Sequence, residues 1–556
     1  MRWAVSFALQ ACLRGRRLTA SVCWRRSLNR ICCDKIQNRV LSPRLGEAKG
    51  IRAAPWDVME RFVKVQRRLL ALTACALLLG GCANYSGIFP QALKFDGSTL
   101  GGNTVSHADW PKENWWQDFG DPVLGGLIEQ ALRDSPSLQA AAARLRRASA
   151  MAGQSESALW PQLEASASTT RERFGEHGMI PPPFAGTTRS TNELQLFAGW
   201  ELDFFGRNHE ALQAALGEVR ASEVEQQAAR QLLAVNVARG YYTLARLLAQ
   251  RGVAEQGWQQ RMALSNLVER RFKAGIDTAV ELESALGAIP QSARDIAALD
   301  EQAGLARHAL AALIGELPNA LDALQPTLAA TMSLSIPDAL PANLLGHRAD
   351  VVAARWRVEA AVHDMDSSKA MFYPNINLSV FTGFSAIGFN HWLDSGSRQP
   401  GAGLAISLPI FDADRLRSLY RVSAANLDSA VASYNATLLD ALRDAADQLS
   451  SLRAVDIQIE RQQAVLASAQ RSYDLALQRY RADISDRLNV LDVESALIAQ
   501  RSASIDLQAR WLDGHIRLIN ALGGGFSDPE MLVMAADAPD RNGPTQPALK
   551  IDGPAP

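Results

Sequence analysis

Two stretches of this chain, 207 to about 273 and 413 to about 481, run through Ala, Arg, Glu, Gln and Leu without one proline. These are good helix formers, and the residue that breaks a helix outright is missing from both. At 1.5 Å per residue, a continuous 67-residue helix is about 100 Å long. A compact globular domain has no place for such a rod, so the usual inference from 556 residues to three or four domains does not apply. The apolar spacing is that of a coiled coil rather than of a membrane span, and the many small residues let helices approach closely.

The two stretches belong to a duplication. Leu138-Gln-Ala-Ala-Ala-Ala-Arg-Leu leads to Trp160-Pro161, and Val351-Val-Ala-Ala-Arg-Trp-Arg-Val leads to Tyr373-Pro374 at an offset of 213. Each is an Ala-rich helix stopped by an aromatic-proline pair, since proline cannot continue the ladder. Two alternating segments follow each proline: 163–170 and 193–205 in the first half, 376–384 and 402–411 in the second. Within 193–205, Leu194, Leu196, Ala198, Trp200, Leu202 and Phe204 alternate with Glu193, Gln195, Glu201 and Asp203. Period two with one apolar face marks a strand between two solvents. Both long helices then reach matching breaks, Arg271-Phe-Lys-Ala-Gly275-Ile-Asp-Thr and Arg479-Tyr-Arg-Ala-Asp483-Ile-Ser-Asp, at an offset of 208.

Four such strands cannot close a barrel, and an open edge in lipid leaves backbone groups unsatisfied at several kcal/mol each. Oligomerisation is therefore expected, and three copies supply twelve strands around an aqueous lumen. The same symmetry sets the long helices side by side as a tube.

The N-terminus carries an address. From Met59 a basic region (Arg61, Lys64, Arg67, Arg68) precedes an apolar run from Leu69 to Leu79 and the sequence Leu79-Gly80-Gly81-Cys82. The run is too short to span a bilayer, and the pattern is that of a cleaved signal peptide. The last four residues resemble a bacterial lipobox, which implies diacylglycerol on Cys82 and, with Ala83 following, export to the outer membrane. Residues 1–58 are read as an over-extended start, with Met59 the initiator. All six cysteines lie within the first 82 residues, so no disulfide framework or thiolate metal site exists beyond them. Residues 1–81 hold 16 Lys/Arg against 4 Asp/Glu, leaving the rest with 41 against 54, or a net charge of −13. An acidic body has no clustered basic face for nucleic acid.

The duplicated strand-strand-helix units, the lipobox, Trp115-Trp116-Gln-Asp-Phe-Gly-Asp-Pro122 and the Phe411-Asp segment resemble the TolC/OprM/NodT outer-membrane factors over residues 84–524. The resemblance implies a mixed α/β membrane protein: four strands per protomer in a trimeric 12-stranded outer-membrane barrel, and coiled-coil helices forming a periplasmic tunnel. It implies a homotrimer, a lipoprotein set in outer-membrane lipid, working with a periplasmic adaptor and an inner-membrane transporter of the resistance-nodulation-division type. No cofactor is implied. The family's periplasmic tips, which meet the adaptor, fall on Gly275, Ile276, Asp277, Asp483, Ile484 and Ser485. Its gate positions fall on Leu488 and Asp492, with Asn489, Tyr480 and Glu281 as neighbours able to hydrogen-bond in a closed state. Gly275 suits a left-handed turn; Asp483 stands where a second glycine is usual and tolerates that conformation less well. A ring of three Asp492 carboxylates would bind cations, while the plain alternative is a solvated carboxylate beside the heptad seam.

The expected division is signal peptide 59–81, anchor, linker and equatorial segment 82–134, first repeat 135–315, equatorial connector 316–347, second repeat 348–524 and a disordered tail from 525. Catalysis is not expected: there is no HExxH, P-loop or nucleophile elbow, and Gly383-Phe-Ser385-Ala-Ile-Gly388 is not GxSxG. The channel reading leaves the cargo open, with type I protein secretion and metal efflux as variants. A lipid-anchored coiled-coil scaffold is the other non-enzyme class, but it has no need of four one-sided strands.

Overall fold

The computed structural model describes residues 84–95, 111–328 and 347–526. The signal peptide, Cys82, most of the connector and the tail beyond Phe526 lie outside them. A 3-10 turn at Trp115–Phe119 leads to α1 (Pro122–Asp134) and α2 (Pro136–Ser157), then β1 (Gln162–Arg173) and β2 (Thr188–Leu202). The rod α3 (Arg207–Lys273) turns into α4 (Ala279–Ile314). The second half repeats the order as α5 (Ala349–Ala370), β3 (Asn375–Ile387), β4 (Gly401–Ser407), α6 (Arg415–Arg481) and α7 (Arg487–Ala521). Both rods have 67 residues, as the proline-free stretches predict.

The strands make one antiparallel sheet in the order β1-β2-β3-β4, so the β2–β3 ladder joins the two repeats. The second strand begins five residues before its alternating segment and ends three residues short of it, and the fourth is shorter than its alternation suggests. β2 stops at Leu202 because the chain turns through Gly206 at φ +76°. β4 stops at Ser407: Leu408 and Ile410 continue the pattern, but Pro409 offers no N–H to a ladder. The register puts Leu163, Ala165 and Ala167 of β1, Leu194, Leu196, Ala198 and Trp200 of β2, Leu378 and Val380 of β3, and Ala402, Leu404 and Ile406 of β4 on one face. Directly paired residues of antiparallel strands share a face, so this face is apolar across the sheet. Leu163, Leu404 and Ile406 are more than three-fifths exposed, an arrangement unfavourable in water and suited to lipid.

Below the sheet, α3 packs against α2, α4, α5 and α7, and α6 against α5 and α7. At Gly217 the crossing of α3 and α5 is so close that a Cβ would come within 2.9 Å of the Ala360 methyl. The main core lies midway along the rods. Trp115, Phe119, Leu124 and Ile128 pack there against Val237 and Tyr241 of α3, Leu310 and Ile314 of α4, and Leu512 and Ile516 of α7. Asp121 caps α1 through the amides of Val123 and Leu124 and accepts the Tyr241 hydroxyl at 2.6 Å. Burial, then that hydrogen bond, raises the pKa of the hydroxyl and keeps it a donor. His515, buried beside Trp511 in the same layer, has its pKa lowered by desolvation and stays neutral near pH 7.

Residues 84–95 form an extended strap on the second repeat. They run along α6, where Asp428 accepts the amides of Gln91 and Ala92, and Asn435 both accepts the amide of Phe95 and donates to the Leu93 carbonyl. An extended strap must find partners for its backbone groups, and these side chains supply them.

Candidate functional site

Both rods end in the same backbone device. In the first tip, Gly275 has φ +73° and donates to the Phe272 carbonyl, while Ile276 donates to that of Arg271, each at 2.9 Å. In the second, Asp483 has φ +52° and donates to the Tyr480 carbonyl, while Ile484 donates to that of Arg479. These paired bonds close a helix around a left-handed residue. Asp483 thus holds a conformation that glycine adopts without cost. Asp483→Gly should stabilise the tip by on the order of 0.5–1 kcal/mol, seen as slower hydrogen exchange of amides 482–486, and Gly275→Ala should speed exchange in its own tip. Ile276 and Ile484 stand 64% and 68% exposed, two apolar knobs presented to solvent.

The helices that leave the tips start differently. Thr278 and Glu281 form a reciprocal capping box: the Thr278 amide donates to Glu281 Oε2 at 2.6 Å, and the Glu281 amide to Thr278 Oγ1. The Glu281 carboxylate is therefore engaged by its own helix. Asp486 caps α7 through the Asn489 amide. The Arg271 Nε–H is shared between the two Asp277 oxygens at 3.0 and 2.9 Å, and its Nη1 lies 3.6 Å from Asp486, which links the two tips. The hydrogen bond to Asp277 raises the guanidinium pKa further, so Arg271 is a permanent cation. Ser485 replaces Asp277 in the repeat, so the second tip has no equivalent carboxylate for the matching arginine.

Leu488, Asn489 and Asp492 sit in the first turns of α7, where Leu488 and Asp492 share a stripe four residues apart. Asp492 is exposed while Val490 and Leu491 are buried against neighbouring helices. Within the protomer, no hydrogen bond among the described residues joins Tyr480, Glu281, Asn489 and Asp492 to one another; Tyr480 instead lies beneath the Arg487 guanidinium, 5.5 Å from its ring centre. Gln260 of α3 donates to the Leu491 carbonyl at 2.6 Å, one residue before Asp492.

That glutamine belongs to a feature the sequence reading missed. Towards the tips the seam between rods turns polar. Gln462 bonds Gln500, Arg501 bonds Gln256 and Gln470, and a cavity of about 370 Å³ opens among Gln256, Gln260, Tyr473, Arg487, Leu491 and Arg501. Nearer the core, α3 and α7 are joined by Arg239–Asp513 at 2.6 Å and Arg246–Asp506 at 3.3 Å, one heptad apart on each helix. Aromatic side chains also collect where the sheet meets the helices: Trp160, Phe204 and Phe411 are exposed, and Phe205 stacks on Tyr373 at 5.0 Å. Such residues form the interfacial girdle of a membrane barrel. No helix among the described residues is long and apolar enough to cross a membrane.

A one-sided sheet with an aromatic girdle, set on paired helical rods with matched tips, defines the protomer of an outer-membrane channel of the TolC type. The chain belongs to the outer membrane efflux protein family, whose model matches residues 127–316 and 340–524. It is 31% identical over 448 residues to the putative multidrug resistance outer membrane protein MdtQ of Escherichia coli, covering 79% of this chain and 90% of that protein. Over 468 residues it is 30% identical to the pyoverdine export outer membrane protein OpmQ of Pseudomonas aeruginosa, covering 82% and 97%. Among solved structures, the outer membrane protein VceC of Vibrio cholerae is 35% identical with a TM-score of 0.69, over 75% of this chain and all of VceC. The protein is an outer-membrane efflux channel.

Proposed function

We propose that three copies of this chain close a twelve-stranded barrel over a helical periplasmic tunnel, and that the conduit passes small organic solutes handed on by an inner-membrane pump and a periplasmic adaptor. The sheet carries this reading. Its apolar face suits lipid, its other face is polar, and β1 and β4 each leave an edge unpaired. In a bilayer those edges must pair with other copies, because each unsatisfied backbone group costs several kcal/mol. The apolar stretch of β2 from Leu194 to Leu202 is nine residues long, which suffices for a tilted membrane strand.

The tips are the adaptor-facing end, with Gly275, Ile276, Asp277, Asp483, Ile484 and Ser485 as contact positions, and Leu488 and Asp492 narrow the tunnel above them. The Gln-lined seam supports a gate here, since polar contacts around a cavity hold helices less firmly than the apolar core above. Lipidation at Cys82 fits the strap: Asn84 is held by Arg417 at the start of α6, beside the girdle, and two residues reach no further than about 7 Å. The acyl chains would enter the inner leaflet of the outer membrane at the barrel rim. The residues are arranged for passage rather than catalysis, and the cargo class follows the relatives named for multidrug resistance and pyoverdine export.

Mass measurement and planar-bilayer recording on one sample of the detergent-purified lipoprotein test the proposal. A trimer with discrete ion conductance is expected; a non-conducting monomer would overturn it in favour of a lipid-anchored scaffold.

A further inference from the structure

The face of the sheet opposite the lipid-suited one is built from Glu164, Ser166 and Ser168 of β1, Glu193 and Gln195 of β2, Asn377, Ser379 and Ser385 of β3, and Gly403 and Ser407 of β4. Apart from Ile387 at the end of β3, two large apolar side chains interrupt it. Phe197 and Phe381 are direct partners across the β2–β3 ladder, and the same rung ends on Glu164 of β1 and Gly401 of β4. Phe197 is 39% exposed. In a water-filled barrel this is the costly side for a phenylalanine, and two of them side by side need a reason.

The glycines around them show how the rings lie. Gly199, Gly383, Gly401 and Gly403 all sit on the same face within one rung of the pair. A Cβ on Gly199 would come within 3.1 Å of Phe197 Cε1, and one on Gly401 within 2.3 Å of Phe381 Cζ. Both rings therefore lie over bare backbone rather than standing into the bore. A ring lying down leaves its other π-face towards the lumen without blocking it. Exposed carboxylates flank this surface, Glu164 directly opposite Phe197 and Glu193 two rungs away.

We propose that Phe197 and Phe381 form a stacking platform on the lumen wall, repeated three times around the barrel, that briefly retains planar aromatic cations during passage. The π-face supplies stacking and cation–π attraction, and the neighbouring carboxylates favour positive charge. The proposal rests on the barrel reading above. The competing explanation is that the rings only cover glycine backbone and so stabilise the sheet.

The test uses the full lipoprotein in planar bilayers, with ethidium as the planar probe and tetraethylammonium as a non-aromatic ion of the same charge. In the Phe197→Leu, Phe381→Leu double variant, leucine still covers the glycines but offers no π-face. Ethidium residence time should fall on the order of tenfold, while potassium chloride conductance and tetraethylammonium events stay as in the wild type. Phe197→Tyr should keep the ethidium events. Where the double variant fails to assemble, Phe197→Leu alone reads the same quantity. Unchanged ethidium residence in a conducting leucine variant would overturn the platform. The barrel reading is tested separately by Phe197→Cys, which is practicable because no cysteine follows Cys82. Loss of conductance on adding a membrane-impermeant thiol reagent is expected, and a conducting but unreactive variant would overturn the lumenal placement itself.

Discussion

Replacing Asp492 by alanine is expected to raise the single-channel conductance of the trimer, on the order of twofold or more, and to weaken its preference for cations. The argument starts from position. The exposed Asp492 follows the half-buried Leu488 by one helical turn of α7, while Val490 and Leu491 are buried and anchor the helix against its neighbours. In a threefold assembly with Asp492 inward, the carboxylates form a ring at the narrow end. Two unit charges 10 Å apart in water interact by only about 0.4 kcal/mol, so mutual repulsion alone neither opens nor closes such a ring. Its effect comes from concentrating cations in a constriction and from the bulk of the carboxylates. Alanine removes both, so conductance should rise as selectivity falls. Asp492→Asn separates the two effects, keeping the size while lowering cation selectivity. Equal conductance and selectivity in Asp492→Ala would leave the channel intact but return this residue to a solvated helix face.

The long elements were readable because their signals are long. A proline-free run of 67 residues has one folding solution, and β2 and β3 each repeat a two-residue alternation over many positions. Errors came where a local group overrides a pattern. The alternation of β4 runs on through Leu408 and Ile410, but Pro409 removes the donor that a ladder needs. Thr278-Ala-Val-Glu281 is a capping box that could have been read directly, and it would have shown that Glu281 already has a partner. The Gln-lined seam was hidden because glutamine is equally at home on a solvated helix; only the packing of α3, α6 and α7 distinguishes the two. The Phe197–Phe381 pair needed the register between strands 184 residues apart in the chain, which alternation within one strand cannot supply. Nor could hydropathy show that residues 84–95 follow α6, since specific hydrogen bonds from Asp428 and Asn435 hold them there.

Gly383→Ala is expected to abolish stable trimers. In most strands the change would be mild, because a methyl stands clear of the sheet. Here a Cβ would lie 2.2 Å from the Leu194 carbonyl oxygen and 2.9 Å from Gln195 Cα. Both obstacles are backbone, so no rotamer change relieves them; β2 and β3 must part or slide. A slide of one residue would turn the apolar set of one strand to the polar side, which the one-sided wall does not allow. Parting breaks the ladder that, among the described residues, joins the first repeat's strands to the second's, and opens a new edge in lipid in each protomer. The penalty is on the order of 3 kcal/mol or more per protomer, against a total folding stability of about 5–15 kcal/mol for a typical protein. Gly396→Ala, in the β3–β4 loop where a Cβ meets nothing within 4 Å, is the matched control and should assemble normally. The readout is the fraction of chain recovered from outer membranes as a trimer that survives mild detergent. Wild-type recovery of Gly383→Ala would mean that the two repeats are held together by their helices alone, with the β2–β3 ladder free to adjust.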